Sequence, residues 1–225
     1  KAGATLINTG IGWHEARVPT IVTSVPRAAF SWVTEKMKKE VSIPLITTNR
    51  INTPEVAEKI LATKQADMVS MARPFLADSD FVNKAADNKS DEINTCIGCN
   101  QACLDHVFLQ KRASCLVNPV ACYETELTFD KTNKVKRIAV IGAGPAGLAF
   151  SVYAAERGHQ VEIFDRLSEI GGQFNVAKQV PGKEEFYETI RYFNKKLSLL
   201  NIPMHLNEEQ SAEKLLAAGF DDVVL

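Results

Sequence analysis

Apolar and polar positions fall into two patterns along this chain. Over the first 95 residues, short apolar runs at 5–8, 44–48 and 67–71 alternate with longer stretches of helical spacing, which predicts strand, loop and helix in repetition. Residues 28–39 set Phe30, Val33 and Met37 on one face and Lys36, Lys38 and Lys39 toward water, as an amphipathic helix does. Thr53 then Pro54 reads as an N-cap and first-turn proline, with Val56, Ile60 and Leu61 as the apolar stripe that follows. Chemistry-bearing residues come directly after the strands: Asn49 and Arg50 after the second, Ala72, Arg73 and Pro74 after the third. Alternation of this kind predicts the last units of a β/α barrel, although no sequence-similar repeat accompanies it.

The second pattern begins at residue 137. RIAVI at 137–141 is a continuous apolar run of the sort buried on both faces of a parallel sheet. GAGPAG follows at 142–147, then an alanine-rich helical stretch over 146–157, Gly158 where a helix C-terminal glycine belongs, and a second strand at 160–164 ending on Asp165. Gly142, Gly144 and Gly147 make a tight turn, a close approach to pyrophosphate and a helix–strand contact, and an acid near position +20 suits ribose hydroxyls. Such a unit binds a dinucleotide; these residues leave FAD and NAD(P) open. Phe186, Ile190 and Phe193 read as core of a later helix, Lys195 and Lys196 as its solvated face, and the polar stretch 130–136 as a linker.

Between the two patterns lie Cys96, Cys99, Cys103 and Cys115, spaced C-x2-C-x3-C-x11-C. Structural zinc favours two C-x2-C pairs, whereas a four-iron, four-sulfur cluster takes a tight run of three cysteines plus a distant fourth. Gly98 suits a chain that wraps a cluster, and Cys122 is left as a bystander. A disulfide framework does not fit five cysteines in a 225-residue chain that is 45% hydrophobic with no secretory segment. The net charge of -1 gives no reason to expect nucleic acid or a membrane surface as a partner, and a cytoplasmic enzyme is expected. The sequence opens without methionine in an apolar run and stops at 222–225 in a strand-like one, so an internal piece of a longer protein is expected.

Arg50 and Arg73 stand at equivalent ends of adjacent barrel units, where the final loops often hold a phosphate; a surface arginine or a barrel ion pair would also suit each. His14 shares its loop with Glu15 and Arg17, and a lone loop histidine is commonly solvated.

Taken together, GIGWHEAR at 10–17, TNR at 48–50, SMARPF at 70–75, CIGCNQACLD at 96–105, GAGPAGL at 142–148 and EIGGQ at 169–173 closely resemble the bacterial NADPH-dependent 2,4-dienoyl-CoA reductases, old-yellow-enzyme-like flavoproteins with an added iron-sulfur and FAD region. The resemblance covers essentially the whole chain. Its cysteines and flavin arginines are shared with 2-enoate reductases and amine dehydrogenases, and the WHEAR stretch discriminates better.

The resemblance implies an α/β fold in three parts: the C-terminal part of an FMN-binding TIM barrel over 1–95, a cluster segment and linker over 96–134, and an incomplete Rossmann-like FAD-binding domain over 135–225. It implies an electron path from NADPH through FAD and a 4Fe-4S cluster to FMN, which reduces a C=C bond of a 2,4-dienoyl-CoA in fatty-acid β-oxidation. On the matching positions, Arg50, Ala72 and Arg73 take the FMN phosphate, and the four motif cysteines take the cluster. Gly142, Gly144 and Gly147 take the FAD pyrophosphate, Asp165 its ribose, with Gln173 beside it and Gln101 and Lys183 as further FAD candidates. His14 becomes the catalytic residue beside the substrate, with Arg17 as a substrate-binding one. The family's proton-donating tyrosine has no match among Tyr123, Tyr153, Tyr187 and Tyr192, and the rest of the NADPH domain would follow Leu225, so this chain alone is not expected to turn over. The alternatives are an enoate reductase, an amine dehydrogenase, or an electron-transfer subunit resembling the small subunit of glutamate synthase. The last would need neither the barrel ends nor the His14 loop.

Overall fold

The computed structural model describes residues 3–225. Contacts divide the chain between Cys122 and Tyr123 into two compact units, so the cysteine segment packs with the barrel strands and the polar stretch beyond Tyr123 goes with the second unit.

In the first unit the elements run β1 (Ile7–Thr9), α1 (Ser31–Lys38), β2 (Leu45–Thr47), α2 (Pro54–Ala62), β3 (Met68–Val69), α3 (Arg73–Ala77), α4 (Phe81–Ala86) and α5 (Leu104–Phe108). The strands are parallel in the order β1-β2-β3, with Thr9 opposite Thr47 and Thr47 opposite Val69. Each is followed by helical crossover chain, the β/α repetition expected of successive barrel units. At α2 the Thr53 hydroxyl accepts the Val56 N–H at 3.4 Å with Pro54 in the first turn. Ile60 packs with Ile51, Ala66, Val56 and Val69.

Helix α1 departs from its apolar pattern. Phe30 at its N-cap is buried as expected, but Val33 and Met37 are only half-buried, while Ser31 and Thr34 are the buried positions within the helix and Thr34 is fully enclosed. Its hydroxyl lies 2.7 Å from that of Thr9 and 3.1 Å from that of Thr47. Those hydrogen bonds offset the cost of burying three hydroxyls, so the helix turns a polar stripe to the sheet that hydrophobic periodicity does not register.

The second unit holds β4 (Arg137–Ile141), α6 (Pro145–Glu156), β5 (Gln160–Asp165), α7 (Phe174–Ala177), α8 (Phe186–Leu199), β6 (Met204–Leu206), α9 (Ala212–Ala217) and β7 (Asp222–Val224). Its all-parallel sheet has the order β6-β5-β4-β7, which is the 3-2-1-4 order of a doubly wound fold. β4 is buried on both sides as its unbroken apolar run requires. Ile138 and Val140 pack with Leu148 and Val152 of α6 and Phe193 and Leu197 of α8, while Ala139 packs with Phe164 and Leu215 on the opposite face. Gly158, at φ +96°, closes α6 by donating to the Ala155 carbonyl at 2.8 Å. The stretch read as a linker is pinned: Phe129, just before it, stacks on Tyr153 at 4.4 Å, and within it the Thr132 N–H donates to the Arg157 carbonyl. Among the described residues no helix is long and apolar enough to cross a membrane.

Candidate functional site

The four motif cysteines line one small cavity together with Arg73, Leu76, Ile97, Asn100, Leu116 and Val117. Two arms deliver them. Asp78, buried at the end of α3, accepts the Asn94 N–H at 2.8 Å and the Lys84 ammonium at 2.6 Å, which fixes the approach to Cys96. Asn94 donates in turn to the Val117 carbonyl at 2.7 Å, and Asn118 to that of Leu76 at 2.9 Å, so the arm bearing Cys115 is tied to the one bearing Cys96.

All five cysteines are free thiols. Burial pushes the Cys96 thiol up, against the opposing pull of Arg73, the Gly98 N–H and Arg50. Burial likewise raises Cys99, which receives the Gln101 N–H, and pushes Cys115 up to about 12 despite the Val117 and Asn118 amides. Amide donors aimed at sulfur favour thiolates, and a buried thiolate needs a compensating positive charge. Soft sulfur donors of this kind around one space fit iron in a cluster. Among the described residues no three His, Cys, Asp or Glu side chains close on a single-ion position; the four thiols face a shared space instead. In iron-free protein Cys115 should stay protonated, so its alkylation by iodoacetamide at pH 8 should run at least about tenfold slower than that of a free cysteine. Mass spectrometry of a time course checks this, and a rate equal to that of free cysteine would count against it.

A second cleft, of about 70 Å³, opens at the C-terminal ends of β2 and β3, lined by Thr48, Asn49, Arg50, Ala72, Arg73 and Cys96 among others. Asn49 and Arg50 are consecutive left-handed residues, φ +75° and +54°, a conformation that costs a non-glycine residue roughly 1 kcal/mol or more and clusters at functional sites. It turns Arg50 inward, where the side chain is buried and donates through Nε to the Val25 carbonyl at 2.7 Å and through Nη2 to that of Thr23 at 3.3 Å. Arg73 heads α3 and donates to the carbonyls of Ile21 at 2.9 Å and Thr20 at 3.4 Å and to Asn100 Oδ1 at 2.7 Å. Arg50, Ala72 and Arg73 are thus gathered at one cleft, with both guanidinium groups braced by the chain at 20–25.

His14 lies more than a third exposed, its ring stacked on Trp13 at 5.2 Å and tilted against Phe108 at 5.6 Å, with Glu15 Oε1 3.9 Å from Nε2. Phe108 closes α5, so the cysteine segment itself supplies a wall of the histidine's surroundings. Arg17 is exposed in the same loop.

In the second unit a cleft of about 500 Å³ lies at the C-terminal edge of the sheet, lined by Ile141, Gly142, Asp165, Gln173 and other residues. Gly142 has φ +111°, and a Cβ on Gly147 would fall 2.1 Å from the Gly142 carbonyl oxygen. The Asp165 carboxylate is nearly buried and accepts the Ala143 N–H at 2.7 Å and the Leu167 N–H at 2.8 Å. It braces the glycine turn, and a ribose would share its oxygens with those amides. Gly144 is the N-cap of α6 and meets Gly172 from the second glycine pair. Lys183 is not among the residues lining this cleft; its ammonium sits 5.5 Å over the Phe186 ring. Gln101 belongs to the first unit, exposed in the turn between Cys99 and Cys103. Arg166, Glu208, Glu209 and Gln210 line the cleft and went unnoticed in the sequence. The last three follow β6, and position after a strand was the one signal that could have found them.

Residues 1–92 match the NADH:flavin oxidoreductase / NADH oxidase family, and residues 140–196 match the NAD(P)-binding Rossmann-like domain. The chain is 43% identical over 218 residues to a metal reductase of Desulforamulus reducens, covering 97% of this chain and 33% of that protein. It is 35% identical over 230 residues to an NADH oxidase of Thermoanaerobacter brockii, covering 100% and 35%. A 2-naphthoyl-CoA reductase bound to 2-naphthoyl-CoA superposes with a TM-score of 0.92 at 32% identity, covering 97% of this chain and 34% of the other. The chain therefore spans about a third of the length of the proteins it matches.

Proposed function

We propose that the chain is part of an iron-sulfur flavoprotein that reduces an activated C=C bond of an acyl-CoA, a 2,4-dienoyl-CoA being the substrate the motifs favour, a reading supported by the match of residues 1–92 to the NADH:flavin oxidoreductase / NADH oxidase family and of residues 140–196 to the NAD(P)-binding Rossmann-like domain. The observation that carries the reading is a shared wall: Cys96 and Arg73 line both the thiol cavity and the arginine cleft. A thiol cavity with no flavin function would not need two arginines at strand ends on its border. The CoA thioester named for the superposing reductase supports the substrate class.

When bound, FMN would supply hydride chemistry, the cluster single-electron transfer, and FAD the point of entry for electrons from NADPH. Cys96, Cys99, Cys103 and Cys115 would hold the iron, and the backbone amides at Gly98, Gln101, Val117 and Asn118 would stabilise the thiolate charge. Arg50 and Arg73, with backbone at Ala72, would take the FMN phosphate, a planar guanidinium being suited to it. His14, held by Trp13 and Phe108, would hydrogen-bond the thioester oxygen as it gains enolate character. The glycine turn would take the FAD pyrophosphate.

Anaerobic analysis of the intact protein tests this: about four iron and equivalent sulfide per chain, with both FMN and FAD released, is the expected result. Zinc in place of iron, or FAD without FMN, would sink it, and turnover of N-methylated amines instead of dienoyl-CoA would move the protein to the dehydrogenase branch. His14→Ala should lower dienoyl-CoA turnover about tenfold, the scale of one lost hydrogen bond, with flavin content unchanged. Wild-type steady-state kinetics in that variant would remove His14 from the site.

A further inference from the structure

The two arginines of the strand-end cleft are held from the cysteine side, one by each of the gaps in C-x2-C-x3-C. Gly98 lies between Cys96 and Cys99 at φ +65°, and a Cβ there would sit 3.1 Å from Arg50 Nη1 and 3.2 Å from Thr23 Cα, so the loop backbone rests on that guanidinium. Asn100 lies between Cys99 and Cys103, also at φ +65°. Its Oδ1 accepts from Arg73 Nη1 at 2.7 Å, and its Nδ2 donates to the Ile21 carbonyl at 3.1 Å. Arg73 Nη1 donates to that same carbonyl at 2.9 Å. The chain at 20–25, the cleft arginine and the cysteine loop therefore meet at one hydrogen-bonded node.

We infer that Asn100 is a positioning residue that couples filling of the thiol cavity to the phosphate affinity of the arginine cleft, so that iron-sulfur loading and FMN binding are cooperative. The inference rests on the assignment of cavity and cleft given above. Cys99 and Cys103 flank Asn100 at one and three residues, so fixing both sulfurs on a rigid body fixes the Asn100 backbone between them. Its amide then sets the plane of the Arg73 guanidinium, and a guanidinium recognises phosphate through a planar fork whose orientation matters. Without that support Arg73 retains the Thr20 and Ile21 carbonyls on one side only. Linkage makes the effect reciprocal: FMN tightens the cluster by the factor by which the cluster tightens FMN.

The test is FMN affinity in the intact protein, followed by flavin fluorescence before and after iron is removed with a chelator, for wild type, Asn100→Gly and Asn100→Asp. Glycine accepts positive φ and so removes only the side chain; aspartate keeps the acceptor for Arg73. Iron removal should weaken FMN about tenfold in wild type and in Asn100→Asp, the scale of a hydrogen bond to a charged group. In Asn100→Gly the affinity should start about tenfold weaker, with unchanged far-UV circular dichroism, and fall by less than about twofold more. Equal weakening in all three proteins on iron removal, or wild-type FMN affinity in iron-loaded Asn100→Gly, overturns the coupling. A protein that carries iron without FMN, or FMN without iron, overturns the assignment beneath it and the coupling as well.

Discussion

Replacing Cys103 by serine should cut NADPH-driven substrate reduction in the intact protein at least about 100-fold, while NADPH-driven reduction of a soluble dye survives. Cys103 shares its cavity with three other thiols, and a hard hydroxyl is a poor substitute for a soft thiolate on iron. Loss of one corner ligand opens the cluster, and damage even to groups beyond the direct ligands commonly costs 10- to 100-fold. On the proposed electron path dye reduction would draw on the second unit alone, whose core and glycine turn involve no cysteine. The measurement is iron and sulfide per chain beside the two rates. Full iron with full turnover in Cys103→Ser would remove the cysteines from the electron path.

The second large effect concerns Gly147. A Cβ at this position would meet the Gly142 carbonyl oxygen at 2.1 Å and Val140 Cγ1 at 3.2 Å. The first obstacle is backbone in the turn itself, so nothing flexible can move aside. Gly147→Val should push α6 off β4, destabilise the second unit by about 3 kcal/mol and abolish FAD binding, because the amides around the turn lose their alignment. By contrast a Cβ on Gly142 would meet nothing within 4 Å, so Gly142→Ala costs only the strain of its φ of +111°. Thermal melts and released FAD read both variants. A Gly147→Val protein with wild-type melting and full FAD would refute the close-packing argument.

Legibility in the sequence followed the range of the interactions. The β4–α6–β5 unit was readable nearly to the residue, because an apolar run, a glycine turn, Gly158 and Asp165 are all local signals. The barrel strands are legible, but the paired segments are only two or three residues long. The buried face of α1 is legible only in part: Phe30 is buried as its spacing predicts, but hydroxyls can be core residues once they find one another, and partners 25 and 13 positions away leave no local trace. Spacing marks Asp165 as a ribose candidate, while its brace on the glycine turn is visible only in the fold. Gly98 and Asn100 show the same limit: their residue types suit a tight loop, while their contacts with Arg50 and Arg73 span 48 and 27 positions.

The hydroxyl trio of Thr9, Thr34 and Thr47 also bears on alignment. An apolar interface between a helix and a sheet tolerates small slides, because oil against oil is nearly as good one step along. Here a slide of α1 by one turn would part Thr34 from Thr9 and Thr47; Thr9 would keep the Ile46 carbonyl, but the buried Thr34 and Thr47 hydroxyls would lose each other, at about 1–3 kcal/mol for each group left unpaired. The trio thus acts as a key that admits one setting of the helix on the strands. The chain at 20–25, which braces both arginines, is threaded between β1 and α1, so that key also sets the alignment from which the cleft is built.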